Sequence, residues 1–548
     1  MSKRSELSLR PLSSLAKVFP QKIYGNKSAA FEGAVGQEIS FQVAYRLNSK
    51  NTPGKKYRVE AVSPIKDISV FSVGLVPSHN PTAPGFVDGN YITSAPGLFP
   101  DPLVPFVTKK DSANAREFWN ALWFSVKTDE LTPGDYPVTV LFFDSNGEKA
   151  GGVRVKITVH NVTLAPQSFL FTQWFHCDCI ASVHRVPVFS EAHWALIDKY
   201  MALAAAHGMN MILTPVLTPP LDTAVGGERP TVQLVKITRT ADRYSFDFSL
   251  LERFIRLSQK NGINTFEISH FFTQWGAAHA PKVIALKDGR KKRIFGWKID
   301  AAGEEYANFL RELVPALIAF CKGLGLSERQ LYFHVSDEPN IKHLPAYRAA
   351  GEILLPLIGN CPHIDALSDL DFYREGLVDV PVVATDAIEP YIKAKVSPLW
   401  CYYCCCQTTG VANRFFSMPS PRNRIIGVQF YLYGISGFLH WGYNFYYTQY
   451  SRALIDPYAV TDAGGAFPSG DAFSVYPYGD GVIPSLRQKV FAEALCDLRL
   501  LNRLEERIGR DAVVKGIRKC AGTDITFSNY PTDYGFFDRL YRFIFDSI

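Results

Sequence analysis

Two adjacent carboxylates, Asp337 and Glu338, stand where a short apolar run gives way to a polar segment. They belong to HVSDEPN (334–340), which follows the strand-like LYF and precedes the helix-like IKHLPAYRAAGEIL. Adjacent side chains of a regular strand face opposite sides, so both can serve one site only if the chain bends there. Pro339 disfavours the helical conformation for Glu338 and predicts an extended one at this bend.

Paired carboxylates at one site have a definite acid–base chemistry. Two such groups in a partly dry pocket do not both ionise cheaply, so one keeps its proton near neutral pH. That arrangement supplies a general acid beside an anion. The same residues are also typical of a helix start, with Asp337 and Glu338 near the helix dipole and Pro339 in the first turn.

The elements that must position this pair begin at residue 166, where short apolar runs alternate with amphipathic, helix-length segments. Candidate strands cover residues 168–176, 209–216, 263–270, 330–337, 363–367, 380–385, 399–404 and 437–443. Eight strands alternating with helices predict a (β/α)8 barrel of the TIM type. A doubly wound open sheet is the alternative, although we find no nucleotide-binding glycine motif after the first of these strands.

In barrel enzymes the active site lies at the C-terminal ends of the strands. Five of the candidate ends are polar and aromatic. Besides Asp337 and Glu338 they offer Trp174, His176, Asp178, His270, Gln274, Trp275, His334, Trp400, Tyr402, Tyr403, His440, Trp441, Tyr443 and Asn444. Each residue alone is more typical of packed core, but their convergence favours a site. Aromatic faces with polar groups and few cations are typical of a sugar-binding pocket.

The chain before residue 166 has a different rhythm. Apolar and polar residues alternate in 121–128, 136–144 and 152–164, with Gly, Pro and Asn between the runs. This period of two predicts a β-sandwich accessory domain over residues 1–165. The barrel is then predicted over residues 166–510, and a small helical end-piece packed on the barrel over residues 511–548.

Composition narrows the class of protein. The 548 residues are 47% hydrophobic and carry a net charge of only +6, and the densest basic run, 288–294, is predicted to be a solvated loop. No stretch reaches the roughly 18 apolar residues of a membrane span, and no signal-peptide segment is recognisable. We therefore expect a cytoplasmic protein, or a secreted one if a signal was removed, with no nucleic-acid partner and no membrane span.

Cysteines are numerous but irregularly placed. Four of the ten lie in CYYCCC (401–406) and two in CDC (177–179). This is not the spacing of a disulfide framework, and no second C-x2-C completes a zinc site with Cys401 and Cys404. Reduced structural thiols, without a metal or a cofactor, are predicted.

Five motifs in one order resemble glycoside hydrolase family 123 and the wider DUF4091-type group of glycoside-hydrolase-like proteins. They are QWFHCDCIA (173–181), HVSDEP (334–339), LWCYYCCCQ (399–407), GFLHWGYN (437–444) and PSGDAFSVYP…PSLR (468–487). The likeness covers about residues 170–510. It implies a retaining exo-glycosidase similar to β-N-acetylgalactosaminidases, acting on an oligosaccharide or a glycolipid fragment, with the adjacent Asp-Glu pair as its catalytic motif.

The resemblance also implies a mechanism. Glu338 would protonate the glycosidic oxygen and later deprotonate water, while Asp337 would orient the 2-acetamido group of the sugar. The acetamide oxygen would attack the anomeric carbon and form an oxazolinium ion. An ordinary retaining enzyme instead needs two carboxyls about 5 Å apart on opposite sides of the bond.

The other expected site residues follow from their positions in the resembling motifs. Tyr402 or Tyr403 would donate a hydrogen bond to the acetamide oxygen, and Trp275 and Trp441 would wall the pocket. The residues expected to hold sugar hydroxyls are His176, Asp178 and Asp471.

Three alternatives remain open at this stage. A glycosidase for sugars without an acetamido group would use a distant carboxylate, namely Glu267, Asp386, Glu389 or Asp471. A metal-dependent hydrolase would use His176, His270, His334 and Asp337, although no H-x-H or H-E-x-x-H pair occurs. A non-catalytic carbohydrate-binding protein would keep only the aromatic ring, and the sequence indicates no oligomeric state.

Overall fold

The computed structural model describes residues 6–49, 53–241 and 243–548. The strands of its N-terminal region are β1 (Leu7–Ser13), β2 (Lys17–Val18), β3 (Ile23–Tyr24), β4 (Ala30–Val35), β5 (Glu38–Leu47), β6 (Lys55–Val62), β7 (Ile68–Ser78), β8 (Gly97–Pro105), β9 (Ser112–Ala115), β10 (Asn120–Lys127), β11 (Gly134–Phe143) and β12 (Lys149–Thr163). In this described part they form two five-stranded sheets, ordered β1-β5-β10-β7-β8 and β4-β12-β11-β6-β9, beside the β2–β3 hairpin.

The alternating pattern of the sequence explains how these two sheets pack. In β12, Val155, Ile157 and Val159 are buried, while the residues between them face outward. They join an apolar core that includes Phe41 and Phe124, whose stacked rings lie 4.8 Å apart. The predicted sheet-rich N-terminal region is thereby confirmed.

The remaining strands are β13 (Leu170–Gln173), β14 (Met211–Thr214), β15 (Lys236–Thr240), β16 (Arg243–Asp247), β17 (Thr265–Ile268), β18 (Val283–Lys287), β19 (Arg290–Phe295), β20 (Leu331–Tyr332), β21 (Ile364–Ala366), β22 (Val380–Ala384), β23 (Trp400–Tyr402), β24 (Gly437–His440), β25 (Val475–Tyr478) and β26 (Gly481–Pro484). The helices are α1 (Cys177–Val183), α2 (Glu191–Ala206), α3 (Ser249–Lys260), α4 (Glu304–Gly323), α5 (Leu344–Ile358), α6 (Asp371–Arg374), α7 (Glu389–Lys393), α8 (Ser420–Arg424), α9 (Ile426–Tyr433), α10 (Leu486–Ile508), α11 (Arg510–Ala521) and α12 (Phe536–Ser547). Short 3-10 turns cover Glu328–Gln330, Ile341–His343 and Gln449–Ser451.

Each of the eight predicted barrel strands contains a strand of the structure, and helices separate them along the chain. In the described residues these strands form a five-stranded parallel sheet, β13-β24-β23-β22-β21, and a three-stranded one, β14-β17-β20. Apart from β13 beside β24, neighbours in these sheets are successive members of this set. That order argues against a doubly wound sheet, in which the order reverses at a switch point. The two sheets do not by themselves make a closed barrel, so the predicted full closure is not confirmed.

One part of this region was not predicted. Strands β15, β16, β18 and β19 form a separate sheet of the order β16-β15-β18-β19. The basic run 288–294 lies in the β18–β19 hairpin, so the predicted loop is a turn followed by a strand. The sequence carries no sign of this strand because four consecutive residues, Arg290 to Arg293, are exposed and show no apolar alternation.

The C-terminal helices tie the parts together. The side chain of Ser485 caps α10 by accepting from the backbone N–H of Gln488 at 3.1 Å. Helix α12 packs on α10 and α11, and its Tyr541 hydroxyl donates to Asp497 of α10 at 2.9 Å. The Gln37 amide of the N-terminal region donates to the same hydroxyl at 2.8 Å. The limits of the three predicted domains stay predictions.

A buried ion pair joins the N-terminal sheets to helix α10. Arg487 makes two hydrogen bonds to Asp101, at 2.8 and 2.9 Å, and both side chains are buried. Two-point pairing of this kind fixes orientation as well as distance. Among the described helices, none has the length and apolar character that crossing a membrane requires.

Candidate active site

A pocket of about 230 Å³ opens at the C-terminal ends of the parallel strands. Its lining comes from β21, β23 and β24 themselves, from the segments that follow β13, β14, β17, β20, β23 and β24, and from two loops beyond β24. The lining residues are Trp174, His176, Leu221, Asp222, Gln274, Trp275, Asp337, Glu338, Ala366, Tyr402, Cys404, Cys405, Cys406, Leu439, Trp441, Gln449 and Phe467.

Asp337 and Glu338 both line this pocket, so the chain does bend where the sequence predicted. The predicted extended conformation of Glu338 is wrong, because its φ is 45°, in the left-handed region. Backbone hydrogen bonds hold it there: Glu338 N–H donates to the Ala366 carbonyl at 3.0 Å, and Trp275 N–H donates to the Asp337 carbonyl at 3.0 Å. Such a conformation costs about 1–3 kcal/mol in a residue that is not glycine and is concentrated at functional sites.

The helix-start interpretation of this motif is also wrong. Asn340 is the residue that caps the following turn, since its side chain accepts from Lys342 N–H at 3.0 Å. Helix α5 begins only at Leu344. Asp337 and Glu338 therefore lie outside any first helical turn.

Burial acts on both carboxyls in the same direction. It raises the pKa of Asp337 well above its usual value, and the neighbouring Glu338 adds to the effect. Burial likewise raises the pKa of Glu338, while a hydrogen bond from the Tyr402 hydroxyl to Glu338 Oε1 at 2.7 Å opposes the rise. In the described chain no protein group donates to the Asp337 carboxylate. The pair is thus set to share one proton.

A buried cluster of hydrogen-bonded groups lies beneath the Asp337–Glu338 pair and is centred on His334. Its Nε2 donates to Glu267 at 2.8 Å and its Nδ1 donates to Asp365 at 3.0 Å. Burial alone would lower the pKa of His334, but these two carboxylates raise it to about 9. His334 is therefore an imidazolium ion and a support under the pocket rather than part of its lining.

His176 reaches the pocket, whereas Asp178 does not. Arg229 donates two hydrogen bonds to Asp178, both at 2.8 Å, and a third to His176 Nδ1 at 3.1 Å. Burial and the Arg229 charge lower the pKa of His176 to about 3, so its ring is neutral. Its Nε2 donates to the Trp441 carbonyl at 3.0 Å. Asp178 consequently orients Arg229 instead of facing a sugar.

Trp441 and Trp275 form part of the pocket wall, as predicted for both by position. Trp441 Nε1 donates to the buried Asp471 at 2.9 Å, so Asp471 holds the wall and lies outside the lining. Burial raises the pKa of Asp471 to about 7, although Arg414 acts in the opposite direction. Trp275 remains 44% exposed at the rim.

The remaining predicted tyrosines separate into one that lines the pocket and two that do not. Tyr402 lines it. Tyr403 is buried and its hydroxyl donates to Asn423 at 3.4 Å, and the buried Tyr443 donates to the Tyr200 carbonyl at 3.0 Å. These two pack behind the site.

The family model for the catalytic domain of glycoside hydrolase family 123 matches residues 174–504, which include every residue of the pair and its support. The chain belongs to glycoside hydrolase family 123. It is therefore a glycoside hydrolase, and the non-catalytic alternative is not supported.

The solved structures that resemble this family 123 chain differ widely in how well they superpose on it. A family 123 glycoside hydrolase from Clostridium perfringens, studied for glycolipid glycan hydrolysis, aligns over 94% of this chain and 91% of that chain, with a TM-score of 0.72 and 13% identity. A β-glucuronidase from Parabacteroides merdae covers 87% and 55%, with a TM-score of 0.33 and 10% identity. An endo-β-1,4-mannanase from Thermotoga petrophila covers 63% and 78%, with a TM-score of 0.36 and 13% identity. No curated protein sequence matches the chain significantly. The first similarity supports the fold, and the TM-scores of the other two structures are too low to support an argument.

A third carboxylate in the family 123 pocket was missed from the sequence. Asp222 lines the pocket, and burial raises its pKa to about 6 against the opposing hydrogen bond from Tyr450 N–H. It follows the apolar run of β14 by eight residues, in TPPLDT, where no periodic pattern marks it. By contrast, none of Glu267, Asp386, Glu389 and Asp471 appears in the described lining.

The thiols of Cys404, Cys405 and Cys406 were also missed as part of the lining. Cys405 and Cys406, together with Phe467, also line an adjoining cavity of about 380 Å³. The other side of this cavity comes from the N-terminal region, including Phe86, which is 64% exposed. The N-terminal region thus lines a cavity next to the candidate pocket.

The pairing of His334 does not support the metal-dependent alternative. Ligand atoms of His270, His334 and Asp365 do lie within 4.8 Å of one another. His334 uses both ring nitrogens as donors to Glu267 and Asp365, so it has no lone pair for a cation. His334, held by Glu267 and Asp365, is therefore better suited to supporting the pocket than to binding a metal ion.

Proposed function

We propose that this family 123 enzyme is a retaining exo-β-N-acetylhexosaminidase that acts by substrate assistance, with N-acetylgalactosamine as its preferred sugar. The observation that carries the proposal is the Asp337–Glu338 pair, adjacent in the chain and lining one pocket of about 230 Å³. That volume is below the roughly 300–1,000 Å³ of pockets for drug-sized ligands, which supports one terminal sugar ring. When the acetamide oxygen of the substrate is the nucleophile, the enzyme needs no second carboxylate on the opposite side of the sugar ring.

The position of the proton that Asp337 and Glu338 share determines which of them acts as the acid. In the free pocket the Tyr402 hydroxyl favours the anion at Glu338, while Asp337, without a donor, holds the proton. An acetamide N–H donated to Asp337 would favour the anion there and leave the proton to Glu338. Glu338 is then the acid that protonates the leaving oxygen when the acetamide oxygen attacks the anomeric carbon.

The second half of the reaction uses the same groups in reverse. Glu338, now an anion, takes a proton from the water that opens the oxazolinium ion, and the β configuration is restored. The Tyr402 hydroxyl can donate only one hydrogen bond. When it turns to donate to the acetamide oxygen, it no longer donates to Glu338. Trp174, Trp275 and Trp441 supply faces for the apolar side of the sugar.

A second candidate function rests on Asp222. A glycosidase for sugars without an acetamido group would use Glu338 as acid and Asp222 as the second carboxylate of an ordinary pair. The Asp222 carboxylate already accepts from Tyr450 N–H at 3.1 Å. No group of the described chain donates to Asp337, so its carboxylate is the one open to an acetamide N–H, which favours the first candidate.

The relative from Clostridium perfringens was studied for glycolipid glycan hydrolysis. We propose a related substrate class here, an oligosaccharide or a glycolipid fragment. Its aglycone would extend from the pocket into the cavity between Phe467 and Phe86. A cytoplasmic location remains a prediction.

We also infer that the two parallel sheets are the halves of one distorted (β/α)8 barrel and that the two N-terminal sheets form a sandwich. The bridge between Phe333 and His363 supports a connection of β20 to β21. The Asn210 N–H, which donates to the Phe171 carbonyl at 3.2 Å, supports one between β13 and β14.

The proposal is tested with three 4-nitrophenyl glycosides: the β-N-acetylgalactosaminide, the β-N-acetylglucosaminide and the β-galactoside. Turnover of acetamido sugars only, lost in Asp337→Asn and retained in Asp222→Asn, is the expected result. Turnover of the galactoside, lost in Asp222→Asn and retained in Asp337→Asn, would establish the second candidate instead.

A further inference from the structure

The three consecutive thiols at Cys404, Cys405 and Cys406 are unlike the other cysteines of the chain. Their sulfur atoms all lie within 4.8 Å of one another, and Cys406 is exposed while Cys405 is half-buried. They follow β23 in a turn that is shared by the active-site pocket and the adjoining cavity. Side chains of successive residues rarely converge in this way, so the backbone must bring them together.

Two contacts hold that backbone. The amide N–H of Cys404 donates to the Gln407 side chain at 2.8 Å, and the Asn413 amide donates to the Cys404 carbonyl at 2.9 Å. The side chains of Gln407 and Asn413 are both buried. The turn is thus fixed by groups other than the thiols, whose contacts in the described chain are with one another.

The spacing of the sulfur atoms suits one soft cation. Zinc–sulfur bonds are about 2.3 Å long, so two thiolates at the corners of a tetrahedron lie roughly 3.8 Å apart. The sulfur atoms of Cys405 and Cys406 are 3.8 Å apart. Soft thiolates select ions such as Zn²⁺ over Mg²⁺ and Ca²⁺, which prefer oxygen.

We propose that Cys404, Cys405 and Cys406 bind one thiophilic divalent cation at the wall of the active-site pocket, and that the bound cation inhibits the enzyme. Each thiol gives its proton to the buffer as its sulfur–metal bond forms, three protons in all. A water completes the tetrahedron, and no oxidation state changes. The inhibitory half rests on the proposed function, because Glu338 and the cation would line the same small pocket.

Binding is tested on the reduced full chain by titration with Cd²⁺, a probe for this class of cation whose thiolate complexes absorb in the ultraviolet. One Cd²⁺ per chain is expected to produce the absorption. Cys405→Ser and Cys406→Ser are expected to weaken Cd²⁺ binding by more than roughly tenfold, because each removes one ligand. Cys520→Ser is the matched control, since this half-buried thiol lies in neither cavity and donates to the Arg539 carbonyl at 3.5 Å.

The same samples are then assayed with and without one equivalent of Cd²⁺, each variant against its own metal-free rate. Inhibition of the wild type and of Cys520→Ser, absent from Cys405→Ser and relieved by a chelator, is expected. Absorption that is missing, or equal in all variants, would overturn the site. Absorption without inhibition would overturn only the regulatory half, and a lack of any metal-free turnover would count against the proposed function while the absorption still tests the site.

Discussion

The carboxylates of Glu267 and Asp365 are surrounded by donors, whereas those of Asp337 and Glu338 face a pocket with a single donor between them. Glu267 accepts from His334, from Trp174 Nε1 at 2.6 Å and from the Thr172 hydroxyl at 2.6 Å. Asp337 accepts from no group in the described chain. The two sets lie close together, because His334 is three residues before Asp337.

Under the proposed function, the contrast separates carboxylates that support the fold from carboxylates that take part in the reaction. Buried carboxylates that are fully paired keep their charge and hold strands in register, and breaking such a set is expensive. Carboxylates that are buried without partners keep a proton to transfer, at a cost to stability. Substitutions in the two sets should therefore differ in their effects on activity and on stability.

Glu338→Gln should lower kcat/KM on a disaccharide by about 10²–10⁴-fold, the usual contribution of a general acid. The amide keeps the acceptor for Tyr402 but has no proton of suitable acidity to give. Steady-state hydrolysis with a sugar leaving group measures this. The loss in the first chemical step should be smaller with a 4-nitrophenyl leaving group, and a wild-type rate on the disaccharide would remove Glu338 from the mechanism.

Glu267→Gln should destabilise the fold by about 3–5 kcal/mol, as expected when one partner of a buried ion pair is removed. The amide group of glutamine would face the donors of His334, Trp174 and Thr172. Chemical denaturation measures the free energy of unfolding, and the rate per folded molecule should change little. Intact stability with lost activity would instead make Glu267 the distant carboxylate of an alternative mechanism.

The stability difference between the wild type and Glu267→Gln should depend on pH. The folded-state pKa of His334, about 9, is above the ordinary value near 6.5. The raised pKa stabilises the fold fully below pH 6.5, and this contribution is lost as pH rises through 9. Melting temperatures of both proteins between these limits should therefore converge as pH rises, and parallel curves would contradict a charged His334.

Asp337→Asn should stabilise the fold by about 1 kcal/mol near neutral pH, because it removes a buried acid from beside Glu338. The same change should abolish turnover of acetamido sugars. Denaturation midpoints compared with those of Asp222→Asn, another pocket carboxylate, make the measurement. Destabilisation of Asp337→Asn would mean that Asp337 belongs with the supporting carboxylates.

The sequence was sufficient for the parallel strands because each is a short apolar run ending in polar or aromatic residues. It was not sufficient for the β18–β19 hairpin, where Arg290 to Arg293 face solvent and carry no apolar alternation. The proposed closure of the strands into a barrel would depend on bridges between separate elements, such as that of Phe333 with His363, which no local pattern predicts.

For the site, local sequence identified the Asp337–Glu338 pair but not which neighbours face it. Asp178 was expected to touch the sugar, and Arg229, 51 residues later, pairs with it instead. Asp222 went unnoticed because it lies in a loop whose path is set by tertiary contacts, including the bond from Tyr450 N–H at 3.1 Å. Long-range pairing of this kind leaves no periodic signal.

The most direct test of substrate assistance by the Asp337–Glu338 pair uses the wild-type enzyme and substrates whose acetamide bears none, one, two or three fluorine atoms. Fluorine withdraws electrons from the carbonyl oxygen without altering the leaving group. If that oxygen is the nucleophile, kcat/KM should fall steeply with each added fluorine. A flat series would contradict the account and return the nucleophile to the protein, with Asp222 as the first residue to examine.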